Sequence, residues 1–248
     1  DNAVMSDRND LEGLKRFAKT LLKLDIQKTE MSPLVVKHPF TDSGIVGIRQ
    51  EDGHYAIGNL IDNEDDMKAW SKQTEELIDQ AETPFHVFMM ITKSYMLGFL
   101  KYAKPFLSGE DFTKMLADAW VRSESPNADP NLSKSKLVSL FKAADPEILM
   151  DAEERERLQS LDDPVTIYRG VTSYNARNVK ALSWTLDENV ARWFASRFGE
   201  QGRVYQAQIA KDDILAIFTG RNESEVIVDP KQLREIQLAQ DLQMDLSM

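Results

Sequence analysis

A chain of 248 residues with 42% hydrophobic and 29% charged side chains has a globular balance, and it is long enough for one large domain or two modest ones. It has no cysteine, which excludes disulfides, a thiol nucleophile and thiolate-bound metal; its three histidines, His38, His54 and His86, lie at no metal-ligand spacing, so no metal site is expected. A formal net charge of −11 opposes general attraction to nucleic acid or anionic membrane, and neither a nucleic-acid partner nor a membrane span is expected.

The acidity is uneven: residues 1–162 hold 20 basic and 29 acidic side chains, residues 163–248 hold 10 and 12, so it belongs to the N-terminal part. That part reads as mainly helical. Leu11, Leu14, Phe17, Leu21 and Leu22 recur at helical spacing and predict a helix over 9–24. Residues 33–61 are irregular or strand-like, with short β candidates at 34–36 and 45–48 and a turn at Asp52-Gly53. Asn63 can cap a helix over 64–80. Pro84 at a first helical position opens another, predicted to run unbroken over 85–107. This is the most apolar segment, but His86, Lys93, Lys101 and Lys104 interrupt it, which makes it a buried helix rather than a span. Further helices are predicted over 110–122, 132–144 and from Asp145-Pro146 to about 158, with a proline-bearing loop over 123–131.

The polar stretch 160–164 is the expected domain boundary, giving a mainly helical region 1–162 and a second domain 163–248. Beyond it the pattern turns to β, with strands predicted over 165–168, 180–184, 204–209, 214–218, 225–228 and 236–238, so the fold class is α+β. A helical turn is predicted over 173–179 and a helix over 187–198. Asp187 caps that helix, and Val190, Ala191, Phe194, Ala195 and Phe198 face the sheet. Leu182 and Trp184 lie on the strand face opposite Ser183 and Thr185.

Three polar stretches stand at strand margins: Arg169-Gly170, Ser183-Trp184-Thr185 and Glu223-Ser224-Glu225. An arginine can hold a phosphate through two donors, a serine hydroxyl can orient a carboxylate, and a carboxylate facing a sugar can stabilise oxocarbenium character. Brought into one cleft, they suggest cleavage of a glycosidic bond in a phosphate-bearing substrate.

These stretches, Tyr168-Arg169-Gly170, then Ser183-Trp184-Thr185 followed by Ala191 and Phe194, then Glu223-Ser224-Glu225, resemble in kind and order the mono-ADP-ribosyltransferases of the arginine–serine–glutamate type, which include bacterial toxins and phage enzymes. The resemblance covers roughly the C-terminal third. It implies a split β-sandwich preceded here by helices, with NAD as co-substrate and a protein side chain, arginine by virtue of Glu223, as acceptor. Arg169 would hold the NAD diphosphate or the adjacent ribose, and Gly170 would give the nicotinamide amide access to backbone. Ser183 would position Glu225, and Thr185, in the same motif, would help to hold NAD. Glu225 would bond the nicotinamide ribose, and Glu223 would meet the nucleophile. Phe194 would stack near nicotinamide, Arg197 would reach a phosphate, and 219–222 would be the target-recognition turn. Residues 1–162 would dock a delivery partner or contact the target.

The chain departs from the family where Trp184 replaces a small central residue, and where no aromatic directly precedes Glu223. Trp184 is expected to point away from the cleft, and the missing aromatic leaves the target open. An NAD glycohydrolase of the same fold and a catalytically inactive interaction module are the alternative readings. The setting implied is a bacterial or phage protein, cytoplasmic or delivered into a host.

Overall fold

A computed structural model describes residues 5–123, 132–199 and 201–239. The chain divides into two compact units, residues 1–132 and 133–248.

In the first unit α1 (Leu11–Leu22) starts where the Asp10 carboxylate accepts the Gly13 amide at 2.9 Å, and it buries Leu14, Ala18 and Leu22. Strands β1 (Gln27–Lys28), β2 (Val35–His38) and β3 (Thr41–Ser43) form an antiparallel sheet. Strands β4 (Ile45–Arg49) and β5 (Tyr55–Asn59) form a hairpin, whose turn holds Gly53 at φ 87°. Helix α2 (Glu64–Gln80) follows its Asn63 cap as the sequence predicts.

The predicted long helix over 85–107 is instead α3 (Pro84–Phe88), a short 3-10 turn and α4 (Met96–Ala103). The break has a cause: Thr92 turns away to donate its amide to Pro39 O at 2.8 Å and its hydroxyl to His38 O at 3.0 Å. Pro105 then stops α4, because it brings no amide donor. Helix α5 (Gly109–Arg122) closes the unit around fully buried Phe88, Leu100, Phe112, Met115 and Leu116. No described helix is long and apolar enough to cross a membrane. Most of the loop predicted over 123–131 lies outside the described residues.

The second unit begins with three helices rather than at the predicted boundary: α6 (Lys134–Ala143), α7 (Pro146–Leu149) and α8 (Ala152–Ser160). The boundary at 162/163 follows the change from helix to strand, whereas the packing places all three helices with the sheet that follows. Asp151 interrupts the predicted continuous helix by capping a new one: it accepts the Glu154 amide at 2.8 Å while Glu154 accepts the Asp151 amide at 3.0 Å.

The sheet comprises β6 (Val165–Val171), β7 (Ser183–Thr185), β8 (Arg203–Ile209), β9 (Ile214–Phe218), β10 (Glu225–Val228) and β11 (Arg234–Leu238), ordered β11-β8-β6-β7-β10-β9 with every pairing antiparallel. Val226, Ile227 and Val228 are fully buried, as a central strand covered on both faces requires. Helix α9 (Glu188–Ala195) lies on β6 and β8, while α6, α7 and α8 pack on β9. Two glycines permit the α9 contact: a Cβ on Gly170 would stand 1.9 Å from Ala191 O, and one on Gly202 would stand 2.3 Å from Ala195 O.

Phe198 departs from the predicted apolar face. The helix ends at Ala195, Phe198 takes φ 62°, and its ring is 73% exposed.

Candidate functional site

The three polar stretches do converge. Strand β7 pairs with β10 so that Ser183 lies opposite Ile227 and Thr185 opposite Glu225. Glu225 is therefore diagonal to Ser183 on the same face, within side-chain reach. The Ser183 hydroxyl donates to a Glu225 carboxylate oxygen. Trp184, one residue on, points the other way; it is 2% exposed and its indole N–H donates to Ala181 O at 2.9 Å. The bulky central residue thus fills the core behind the motif, as the alternation predicts.

Arg169 joins this pair from β6. Strands β6 and β7 share a single paired position, Tyr168 with Thr185, so little backbone ladder connects them. The guanidinium supplies what the ladder lacks. Its Nη1 donates to Ser183 O at 2.8 Å and its Nε to Asn178 O at 3.2 Å. Burial pushes its pKa down to about 10, against the opposing pull of the Glu225 charge. At neutral pH it remains a cation, held in a water-poor setting beside a carboxylate.

Thr185 completes the connection to the third stretch. Its hydroxyl donates to Glu223 O at 2.7 Å and accepts the Asp187 amide at 3.1 Å, while the Leu186 amide donates to Ser224 O at 3.1 Å. The segment carrying Glu223 is thus fastened to the start of α9. It needs fastening, because Arg221, Asn222 and Ser224 all adopt left-handed φ, at 62°, 56° and 45°. Each such non-glycine residue costs about 1–3 kcal/mol.

Phe194 and Arg197 form a second group at the end of α9. The Arg197 guanidinium lies 4.9 Å from the Phe194 ring centre, 5.5 Å from Trp193 and 5.4 Å from Phe198. Tyr174 meets Phe198 edge-on at 5.8 Å. Gly170 serves packing here: its bare Cα faces the α9 backbone.

Three residues escaped the sequence reading. Glu154, 8% exposed, accepts the Thr219 amide at 2.8 Å from helix α8. Lys134 donates to Lys180 O at 2.6 Å, close enough to Arg169 for the two cations to interact; burial and then the Arg169 charge lower its pKa. Asn178 offers a backbone carbonyl to Arg169. Only Glu154 left a trace in the sequence, as the fourth residue of the capping box Asp151-Ala152-Glu153-Glu154.

No group of three or more metal-ligating side chains occurs among the described residues. No family model, curated protein or solved structure matches the chain.

Proposed function

We propose that the second unit is an NAD-dependent mono-ADP-ribosyltransferase that modifies an arginine side chain. The observation that carries this reading is the Ser183–Glu225 pair, with Arg169 bonded to the carbonyl of the same serine. A carboxylate fixed by a hydroxyl beside a buried cation suits an anionic, sugar-bearing substrate. The near-absence of pairing between β6 and β7 supports an ADP-ribosyltransferase-like split β-sandwich, with the cleft at that opening.

In the reaction, Glu225 accepts a hydrogen bond from the 2′-hydroxyl of the nicotinamide ribose and faces the positive charge that develops at its anomeric carbon. The C–N bond to nicotinamide breaks, and nicotinamide leaves with the electron pair. A guanidine nitrogen of the acceptor attacks the same carbon and passes its proton to Glu223. The products are nicotinamide, ADP-ribosylated arginine and one proton. Arg169 keeps Ser183 in place and gives positive potential to the diphosphate. Arg197, half-buried beside its three rings, is the second candidate for a phosphate.

Nicotinamide release from NAD by the wild-type chain and by Glu225→Gln, with and without a guanidine acceptor, tests the reading. Turnover that rises with acceptor, labels it, and falls about 10³-fold in the variant is expected, since the variant loses the charge that faces the transition state. Equal turnover without acceptor and no labelled product would make water the acceptor and the protein a glycohydrolase. No turnover and no NAD binding under any condition would remove the enzyme reading.

A further inference from the structure

Glu154 is a buried carboxylate that the proposed chemistry does not use. It stands in the first turn of α8, a helix that the sequence places before the catalytic domain. One carboxylate oxygen accepts the Asp151 amide at 3.0 Å and so belongs to the helix cap. The other accepts the Thr219 amide at 2.8 Å, across 65 residues of chain. Capping its own helix would not require that second bond, nor a carboxylate only 8% exposed.

Thr219 is the last residue before the turn that ends at Glu223. Local preference does little for the turn: Asn222 tolerates its left-handed φ, but Arg221 and Ser224 adopt the same region without being glycine or asparagine. It is held from outside at both ends. Downstream, Thr185 and Leu186 bind the carbonyls of Glu223 and Ser224. Upstream, the tie that reaches it from another element at its first residue is Glu154. Glu225, by contrast, sits on a paired strand and has its own anchor in Ser183.

We infer that Glu154 is a positioning residue for the acceptor side of the site: through Thr219 it sets where the turn presents Glu223, and so decides how much ADP-ribose passes to a guanidine rather than to water. The inference rests on the transferase reading above. It adds a residue from helix α8, and a division of labour in which Ser183 serves cleavage of NAD and Glu154 serves capture by the acceptor.

The experiment measures two products in parallel from NAD and agmatine, the small guanidine acceptor: ADP-ribosylated agmatine and free ADP-ribose. Glu154→Ala is expected to lower the ratio of transferred to hydrolysed ADP-ribose about 10²-fold, the scale of an ångström-sized misplacement. Trypsin should also cleave the variant faster after Arg221 than it cleaves the wild type. Asp151→Ala removes the other half of the helix cap without touching Thr219 and should leave the ratio unchanged. Glu154→Gln keeps one acceptor oxygen, enough for the Thr219 amide at the cost of the Asp151 amide, and should restore most of the ratio.

If Glu154→Ala does not fold, Thr219→Pro deletes the amide donor from the opposite side, and the assignment then requires the same fall in ratio there. An unchanged ratio in an active Glu154→Ala overturns the assignment alone, as does an equal fall in Asp151→Ala. A wild type that hydrolyses NAD but transfers to no guanidine leaves the donor reading standing and removes this one. A wild type that releases no nicotinamide overturns both.

Discussion

Ser183 reaches Glu225 diagonally across two strands, and its carbonyl is held by Arg169, so one residue is fixed at both its backbone and its side chain. Its hydroxyl contributes a hydrogen bond to a charged group, worth about 1.5–3 kcal/mol. If that bond orients Glu225 for the transition state, Ser183→Ala should slow nicotinamide release by about 10–100-fold, with little change in thermal stability, because the serine is partly exposed and leaves no large cavity. Steady-state kinetics beside a thermal melt checks both halves; a loss of rate matched by a collapse of the melt would make the serine structural instead. This part of the site was legible in the sequence. Alternation separates Ser183 and Thr185 from Trp184 without knowledge of any partner strand. The tie between Glu154 and Thr219 was not legible, since hydrophobic periodicity reports which face is buried and carries no information on which amide, 65 positions away, a buried carboxylate will meet.

At the scale of elements, strands were easier to read than helix ends. Strands β9 and β10 fall where β-branched runs bounded by polar residues put them. The helices over 85–107 and 146–158 broke because Thr92 and Asp151 found better partners than helix continuation, one in a neighbouring strand turn and one in its own cap. The short β7 and the end of α9 were likewise set by packing. Gly170 decides that packing, and its role follows from space: a Cβ there meets the Ala191 carbonyl oxygen at 1.9 Å and the Ala195 nitrogen at 2.7 Å. Backbone atoms of a helix cannot step aside as a side-chain tip can. Gly170→Ala should therefore destabilise the second unit by about 3 kcal/mol, the upper part of the usual range for overpacking. Gly220→Ala is the control, since no atom lies within 4 Å of its added Cβ. Tryptophan fluorescence during chemical unfolding measures both, and equal midpoints for the two variants would show that α9 can shift off β6 without cost.

At the scale of the whole molecule, the two units differ in how they should respond to mild acid. All three histidines precede residue 133, so between neutral pH and the range where carboxylates begin to titrate, histidine acts on the first unit. His54 and His86 are exposed, but His38 is 1% exposed, against the ring of Trp70 at 5.5 Å and that of Phe40 at 6.2 Å. Its Nδ1 accepts the Phe40 amide at 3.0 Å, which leaves the proton on Nε2 to donate toward Leu22 O and Leu24 O at 3.2 and 3.0 Å. This neutral tautomer satisfies the buried ring, and a second proton on Nδ1 would break the Phe40 bond. Burial lowers its pKa, against the opposing effect of the two carbonyls. The unfolded chain then binds a proton that the folded chain refuses. The stability contributed by neutral His38 is complete above the unfolded value of about 6.5 and declines as pH falls toward the lower folded value. Between pH 7.5 and 5.5 the melting temperature of the first unit should fall, which thermal melts across that range measure. His38→Gln should lower stability at pH 7.5 and flatten its dependence on pH across the same window, because the group that takes up the proton on unfolding is gone. A slope that survives His38→Gln would assign the acid sensitivity to the exposed histidines or to carboxylates instead.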